Sequence, residues 1–449
     1  MKIFLVYSLS AVFMLAQISY ADVAITVYNN NRALVKETRN IALKKGVQSI
    51  EFDNVASQID ATSVLPKFTN NSSDIKVLEQ NFDYDLVSRD KLLTKYIGNT
   101  VEIERTGEDK TGKLTGTLLS VSGGVVVQSD KKIVLNPSGE VSLSKLPEGL
   151  RLRPTLTWLV DSGFEGKNTM ELSYQTGGIK WNADYVLVTD ASDTSADITG
   201  WVTVNNRSGA TYKDAKLKLI AGDVNMVQQQ APIESTSKQS MRKSEAAAPS
   251  FEEKSFFEYH IYELQRKTTV KDNEIKQIEF ITASGIPVKK VFTYNGYKNG
   301  TKVTVNIDFV NSKENNLGIP LPKGKIRVSK YDGDSMEFIG ENMIDHKAKD
   351  AKISLYIGNA FDITGERKQT SFKSESKSAE EEFKITLKNS KDEDVEVNVV
   401  EKFYRWNNWK IEKNSEGYYK TGSATAEFLV TVPANGEKEI TYTVKYWWK

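Results

Sequence analysis

Apolar and polar residues alternate with a period of two along most of the chain from Asp22 onward. Successive side chains of a β-strand point to opposite faces, so this alternation predicts strands with one buried face. Clear examples run from Val23 to Tyr28, from Thr169 to Gln175 and from Lys302 to Phe309. The pattern predicts an all-β protein built from serial β modules, with very little helix.

Two local elements are predicted in more detail. A short helix is expected from Tyr84 to about Tyr96, because three leucines can share one face and Gly98 suits the position just past its end. Residues 325–344 are expected to form a hairpin, with Asp332-Gly333-Asp334 as the turn between two alternating arms.

Turn spacing and composition divide the chain into six segments. Closely spaced glycines punctuate short strands in the third segment and predict a small barrel, while a stretch without apolar periodicity predicts a disordered insertion. The predicted segments are a signal peptide (1–21), an N-terminal β domain with one short helix (22–96), an SH3-like or Sm-like barrel (97–147), a central β-sandwich region with a disordered insertion at about 226–255 (148–368), a charged Ser-rich linker or loop (369–382) and a C-terminal immunoglobulin-like sandwich (383–449).

The first residues have the pattern of an export signal. Lys2 provides a short positive start, and the segment from Ile3 to Ile18 is almost wholly apolar. Ser19-Tyr20-Ala21 places small residues where a signal peptidase reads them, which predicts cleavage before Asp22. The apolar run is shorter than the ~20 residues of a spanning helix. We therefore expect an exported protein, periplasmic or extracellular, without a transmembrane span after cleavage.

Composition removes several classes of function. The chain has 449 residues, of which 27% are charged and 10% aromatic, so it is long enough for several domains and has the composition of a folded protein. Sixty basic residues against 59 acidic ones leave a net charge of +1, which predicts no nucleic-acid partner. The absence of cysteine excludes disulfides, thiolate metal sites and cysteine nucleophiles. No cofactor is predicted.

Candidate catalytic residues are few. The chain has two histidines, His260 and His346, and neither has a second histidine at ligand spacing or a recognisable nucleophile motif. A structural role is expected for both. The acidic turns Asp332-Gly333-Asp334 and Asp392-Glu393-Asp394 lack the further ligands of an EF-hand loop, so they are expected to be exposed turns. No catalytic or metal residue is predicted.

Aromatic residues crowd the C-terminal segment and supply a candidate binding surface. The candidates are Trp406, Trp409, Trp447 and Trp448. Tryptophan rings can stack on sugars or anchor a protein interface, but a small sandwich also consumes large rings in its core. Because Asn407-Asn408 resembles a turn, at least one of the two flanking rings is expected near a loop.

Several ordered motifs support a family resemblance. They are ITVY (25–28), FDNVA (52–56), LSYQTGGIKWNADY (172–185), GWVTVNNRSG (200–209), LIAGDV (219–224) and YHIY (259–262). The chain resembles the family of uncharacterised bacterial exported proteins that carry the domain of unknown function DUF4139, whose distant relatives include mucoidy-inhibitor-A-like proteins. The resemblance spans nearly all of the chain after residue 21. It implies an exported, β-rich protein and brings no activity or catalytic residue with it.

Two functions remain in view. The first is a non-enzymatic exported protein that binds or organises a protein or glycan of the cell envelope. The alternative is an exported carboxylate-dependent hydrolase of cell-wall or extracellular polysaccharide, since a pair of acids leaves no recognisable signature in one sequence. A cleft holding two acids, one with a raised pKa, would favour the hydrolase.

Overall fold

The structure is a computed structural model that describes residues 22–70, 72–105, 112–222, 251–256 and 259–448. Strands make up 66% of it and helices 5%. The all-β class predicted from the alternation is confirmed. In the described part of the chain, no helix has the length and apolarity needed to cross a membrane.

Two predictions fall wholly or mostly on residues that are not described. The predicted signal peptide, residues 1–21, is outside the described part, and so are residues 226–250 of the predicted insertion. The last residues of that insertion, 251–255, belong to a strand that pairs with the next one along the chain. The strand begins where alternation is still weak in the sequence.

The described residues contain thirty strands and two short α-helices. The first half holds β1 (Val23–Tyr28), β2 (Arg32–Leu43), β3 (Gly46–Asp53), β4 (Leu65–Phe68), β5 (Ile75–Asp83), α1 (Arg89–Tyr96), β6 (Thr100–Arg105), β7 (Gly112–Ser120), β8 (Val126–Ser129), β9 (Lys132–Leu135), β10 (Glu140–Ser142), β11 (Thr155–Ser162), β12 (Gly166–Gly177), β13 (Ile179–Thr189), β14 (Ser195–Asn206) and β15 (Tyr212–Ala221). The second half holds β16 (Phe251–Phe256), β17 (Tyr259–Leu264), β18 (Thr268–Val270), β19 (Glu274–Pro287), β20 (Lys289–Tyr294), α2 (Gly296–Asn299), β21 (Lys302–Val310), β22 (Gly324–Asp332), β23 (Ser335–Ile344), β24 (Lys352–Ser374), β25 (Ser378–Asn389), β26 (Val395–Lys402), β27 (Trp409–Asn414), β28 (Tyr419–Gly422), β29 (Thr425–Val432) and β30 (Gly436–Trp447).

These elements form two compact units, each built from several separate stretches of the chain. The first unit takes its described residues from 1–180, 205–217 and 267–274, and the second takes the remainder. The predicted central region, 148–368, therefore contributes strands to both units. In the first unit, β1, β2, β12 and β4 lie side by side in one antiparallel sheet, and β3, β11 and β5 form another.

Residues 100–142 of the first unit carry five short strands. They are hydrogen-bonded in the order β10-β6-β7-β8-β9 as an open sheet, so the expected closed barrel is not formed by the described residues. Leu93 and Tyr96 of α1 pack onto the buried face of this sheet and cover it in place of barrel closure. The helix begins at Arg89, later than expected, because the Ser88 side chain accepts a hydrogen bond from the Lys91 amide and caps it.

The second unit contains a mixed sheet and a sandwich. In the sheet, β13 pairs in parallel with β22, which pairs antiparallel with β23. This last pair is the hairpin predicted for residues 325–344, and Gly333 at its turn has a φ of +58°. The prediction of this hairpin is confirmed.

The C-terminal part of the second unit is a two-layer sandwich of nine strands. Its strands are hydrogen-bonded in the order β27-β30-β25-β24-β21-β20-β26-β29-β28. The first half of β24 pairs with β21 and its second half with β25, so this one long strand takes part in both layers. Inward-facing side chains of the two layers meet in one core, where the ring of Phe428 on β29 stacks on that of Tyr442 on β30 at 5.6 Å.

The predicted linker at residues 369–382 is instead part of this sandwich. Residues 369–374 end β24, residues 378–382 begin β25, and the two segments pair with each other. Their polar composition arises because most of the β24 side chains here face solvent. The sandwich consequently includes β20, β21 and β24, and begins well before residue 383.

Three buried asparagines hold the ends of strands in place. Asn206, Asn311 and Asn389 each end or follow a strand and are at most 1% exposed. The amide of Asn389 donates to the carbonyl oxygens of Glu393 (2.8 Å) and Pro433 (3.1 Å), and its own oxygen accepts from a nearby backbone amide. Each asparagine therefore supplies the hydrogen bonds that a buried turn cannot make with water.

Replacing Asn389 with alanine is expected to destabilise the sandwich by about 2–3 kcal/mol, since buried carbonyl groups lose their donors. Chemical denaturation, monitored by tryptophan fluorescence, measures the decrease in the free energy of unfolding. Asn414 is the matched control, because its amide bonds the Glu416 carbonyl oxygen at an exposed position. A comparable loss for Asn414→Ala would contradict this account.

Candidate functional site

The connection between β26 and β27 displays aromatic residues at one end of the sandwich. Phe403 and Trp409 anchor its two ends in the core, with ring centroids 4.3 Å apart. The Trp409 indole N–H donates to the backbone oxygen of Ser423 at 2.7 Å. Between these anchors, Tyr404 and Trp406 are 61% and 47% exposed. The core thus fixes a short loop whose own rings face solvent.

Three consecutive residues of this loop each contact an aromatic ring from another element. Tyr404 packs against Tyr297 of α2, with centroids 5.0 Å apart, and Trp406 packs against Trp448, with centroids 5.6 Å apart. The Arg405 guanidinium lies 4.7 Å from the ring centre of Phe372. We call these six residues the aromatic surface: Tyr297, Phe372, Tyr404, Arg405, Trp406 and Trp448.

An ion pair between Arg405 and a nearly buried carboxylate, that of Glu381, holds the middle of this loop. The Nε atom of Arg405 donates to Glu381 Oε1 at 3.1 Å, and the amide of Gln369 donates to the same oxygen. The Glu381 side chain is only 8% exposed, so water weakens the pair less than it would at the surface. The hydrogen bond with Glu381 raises the pKa of Arg405. The loop therefore presents its rings from a fixed backbone.

The four tryptophans predicted as a binding surface separate into three environments. Trp406 and Trp448 come together in the aromatic surface, and the Trp448 indole N–H also donates to the Ser376 backbone oxygen. Trp447 is 43% exposed on the opposite face of its strand. Trp409 is 6% exposed and lies in the core, so its predicted place on the surface is wrong.

Sequence reasoning missed Tyr297, Phe372 and Arg405. The first two lie far from the loop along the chain, and only the fold brings them to it. A local signal did exist for Arg405, since it lies between two aromatic residues and both arginine and aromatic residues are enriched at interfaces.

The histidines and acidic turns make local contacts. His260 Nδ1 lies 2.7 Å from Glu253 Oε1 across two paired strands, and His346 Nδ1 accepts a hydrogen bond from the Lys323 amide. Asp394 accepts from the Ala434 amide and fixes the neighbouring turn. Across the residues that the structure describes, no group of three or more potential metal ligands is found.

A cleft of about 1070 Å³ in the second unit brings acids and lysines together. Asp193 contacts Lys290 at 2.8 Å and Lys330 at 2.7 Å, and Asp308 contacts Lys352 at 2.7 Å. We call it the paired-charge cleft. Burial alone would raise the pKa of Asp193, but the hydrogen bonds from Lys290 and Lys330 outweigh it and lower that pKa.

The direction of this shift matters for the hydrolase alternative. A general acid needs a raised pKa to hold its proton near neutral pH. Among the described residues, every carboxyl group with a resolved shift has a lowered pKa: Asp22, Asp85, Asp190, Asp193 and Glu314. The lowered pKa of Asp193 therefore gives no support to a general-acid role for this residue.

Comparison with known proteins assigns the chain to a family. The profile of the domain of unknown function DUF4139 matches residues 170–448, which is more than half of the sequence. The chain belongs to the DUF4139 family. The resemblance noted in the sequence is confirmed for this range, whereas the motifs at 25–28 and 52–56 lie outside it. The DUF4139 match includes the aromatic surface and the paired-charge cleft. Among curated proteins, no match to the chain was found.

Proposed function

We propose that this DUF4139 protein is exported after cleavage before Asp22 and binds a protein or glycan of the cell envelope through the aromatic surface. The observation that carries the proposal is the set of three ring contacts made by Tyr404, Arg405 and Trp406 from one fixed loop. Exposed rings with restricted motion lose little entropy on binding, and Trp, Tyr and Arg dominate binding energy at interfaces.

Electrostatics supports a binding role over a catalytic one. Asp193 and Asp308 of the paired-charge cleft are neutralised by lysines, and the aromatic surface has no carboxylate among its six members. Aromatic rings and one guanidinium offer stacking and hydrogen-bond donation, which suit recognition of a sugar face or of a partner's side chains.

The proposal predicts the behaviour of a Tyr404→Ala/Trp406→Ala variant. Purified protein is incubated with envelope extract and with cell-wall polysaccharide, and saturable capture is measured. The double variant should bind at least about tenfold more weakly, because two interface anchors of about 1–2 kcal/mol each are lost. N-terminal sequencing of protein from the export fraction tests the cleavage before Asp22.

Tyr331→Ala is the matched control for this experiment. Tyr331 is 48% exposed, close to the 47% of Trp406, but it lies in the β22–β23 hairpin. Capture by the control should equal that of the unaltered protein. Unchanged capture by the double variant, with its fold intact by circular dichroism, would exclude the aromatic surface as the binding site.

A further inference from the structure

A second groove lies on the outer face of the C-terminal sandwich. Strand register places Thr293, Thr304 and Asn359 in one row across β20, β21 and β24. Their neighbours Tyr294 and Val303 are fully buried in the core, so the row faces outward. The groove has a volume of about 730 Å³. We call it the asparagine groove.

The lining of the asparagine groove contains no acidic residue. Its ten residues are four asparagines, two threonines, two lysines, Tyr356 and Val400. The lysines are Lys298 and Lys302, and within the described part of the chain neither forms an ion pair. In the paired-charge cleft, by contrast, Lys289 contacts Glu396 at 3.0 Å and Lys352 contacts Asp308 at 2.7 Å. Of these two described sites, the asparagine groove is the one whose lysines have no acidic partner and can pair with a ligand.

The neutral groups of the groove are partly fixed and partly available. Asn306 donates to the Ser354 hydroxyl oxygen at 3.0 Å, which orients its amide. The side-chain amide of Asn359 makes no hydrogen bond to other described residues. Tyr356 is 44% exposed and adds an aromatic wall. Amides that donate and accept, with a ring beside them, match the hydroxyl groups and apolar faces of sugars.

We infer that the asparagine groove binds an anionic oligosaccharide of the uronic-acid class. Lys298 and Lys302 pair with its carboxylates, while the asparagine amides and the Tyr356 ring bind the sugar rings. The volume is that of a ligand of several rings, and a single inorganic anion would leave most of the lining without a contact.

The inference rests on the proposed function in assuming that the protein meets envelope polymers. Helix α2 joins the two sites, since Tyr297 contacts Tyr404 in the aromatic surface and the following residues, Lys298 and Asn299, line the groove. A polymer held in the groove would therefore pass close to the aromatic surface.

Calorimetric titration of the purified protein tests the inference. The probes are two uronic-acid tetrasaccharides, one of galacturonic acid and one alternating glucuronic acid with N-acetylglucosamine, each also supplied as its methyl ester. At least one acid form should bind saturably. An ester should bind about tenfold more weakly than its acid, because charge-assisted hydrogen bonds are lost. For the same reason, an acid that binds the unaltered protein should bind the Lys298→Gln/Lys302→Gln variant about tenfold more weakly.

Lys289→Gln is the matched control, since Lys289 lies in the paired-charge cleft with an acidic partner. Its affinity for the tetrasaccharides should be unchanged. Equal binding of acid and ester, no binding of either acid, or full competition by inorganic phosphate at the same concentration would overturn the inference.

The two proposals fail in different ways. If no tetrasaccharide binds but Tyr404→Ala/Trp406→Ala still abolishes envelope capture, the groove assignment is wrong and the proposed function stands. If the tetrasaccharides bind through the lysines while that variant captures envelope material normally, the groove assignment stands and the aromatic surface is not the envelope site.

Discussion

Replacing Trp409 with alanine is expected to lower the free energy of unfolding of the C-terminal sandwich by about 3–5 kcal/mol, as for other buried aromatic residues. The ring is 6% exposed and packs on Phe403 at 4.3 Å. Its removal leaves a cavity and also deprives the Ser423 carbonyl oxygen of its 2.7 Å hydrogen bond. Hydrogen exchange of the β26, β27 and β30 amides reports the loss in the strands concerned.

Trp406→Ala is the control, because Trp406 lies three residues earlier on the same loop and is 47% exposed. Its effect on unfolding should be no more than about 1 kcal/mol, as for most exposed positions. Equal destabilisation by the two variants would mean that Trp406 is a structural residue, and it would weaken the case for a binding surface.

Replacing Arg367 with methionine is also expected to cost about 3–5 kcal/mol, because it leaves a buried carboxylate without its cation. The Glu401 side chain is 1% exposed and accepts from Arg367 Nε at 2.9 and 3.1 Å, and from the Tyr442 hydroxyl. Burial alone would lower the pKa of Arg367, but its bonds and charge interaction with Glu401 raise it. The guanidinium is therefore permanently charged. Urea denaturation of the variant measures the effect.

Two further variants separate the missing cation from lost packing. Lys384→Met breaks an exposed pair with Glu439 across β25 and β30, and should cost less than about 1 kcal/mol. Arg367→Met/Glu401→Leu removes both buried charges and should be more stable than Arg367→Met alone. If the double variant were less stable than the single one, the contact of the Arg367 guanidinium with the Phe383 ring would be the main contribution.

Much of the fold could be predicted from alternation, and the exceptions have a common cause. Residues 325–344 have an apolar face and a glycine turn, so their hairpin was visible in the sequence. Residues 369–382 also form a hairpin, but their β24 half is largely solvated and carries Gln, Thr, Ser and Lys. Composition then resembles that of a linker, because hydrogen bonding to β25, and not side-chain burial, keeps the segment extended.

The candidate site could be predicted only in part. Clustering of aromatic residues near the C-terminus located the loop, and Trp406 lies in it as expected near a turn. Sequence spacing could not separate Trp406 from Trp409, because the start of β27 decides which ring enters the core. No sequence motif marks the lysines of the asparagine groove. What distinguishes them is that no acidic residue lines the groove, and only the fold determines this.

The parallel pairing of β20 with β26 sets the order in which the sandwich can assemble. Residues 292–294 pair with residues 397–399, so about a hundred intervening residues must be in place before this ladder closes. Local hairpins such as that of β24 and β25 need only neighbouring residues, whereas the pairing of β20 with β26 requires most of the chain to have been made. Synthesis from the N-terminus therefore leaves β20 without its parallel neighbour until residue 402 has been added, and we expect slow, late folding of this domain.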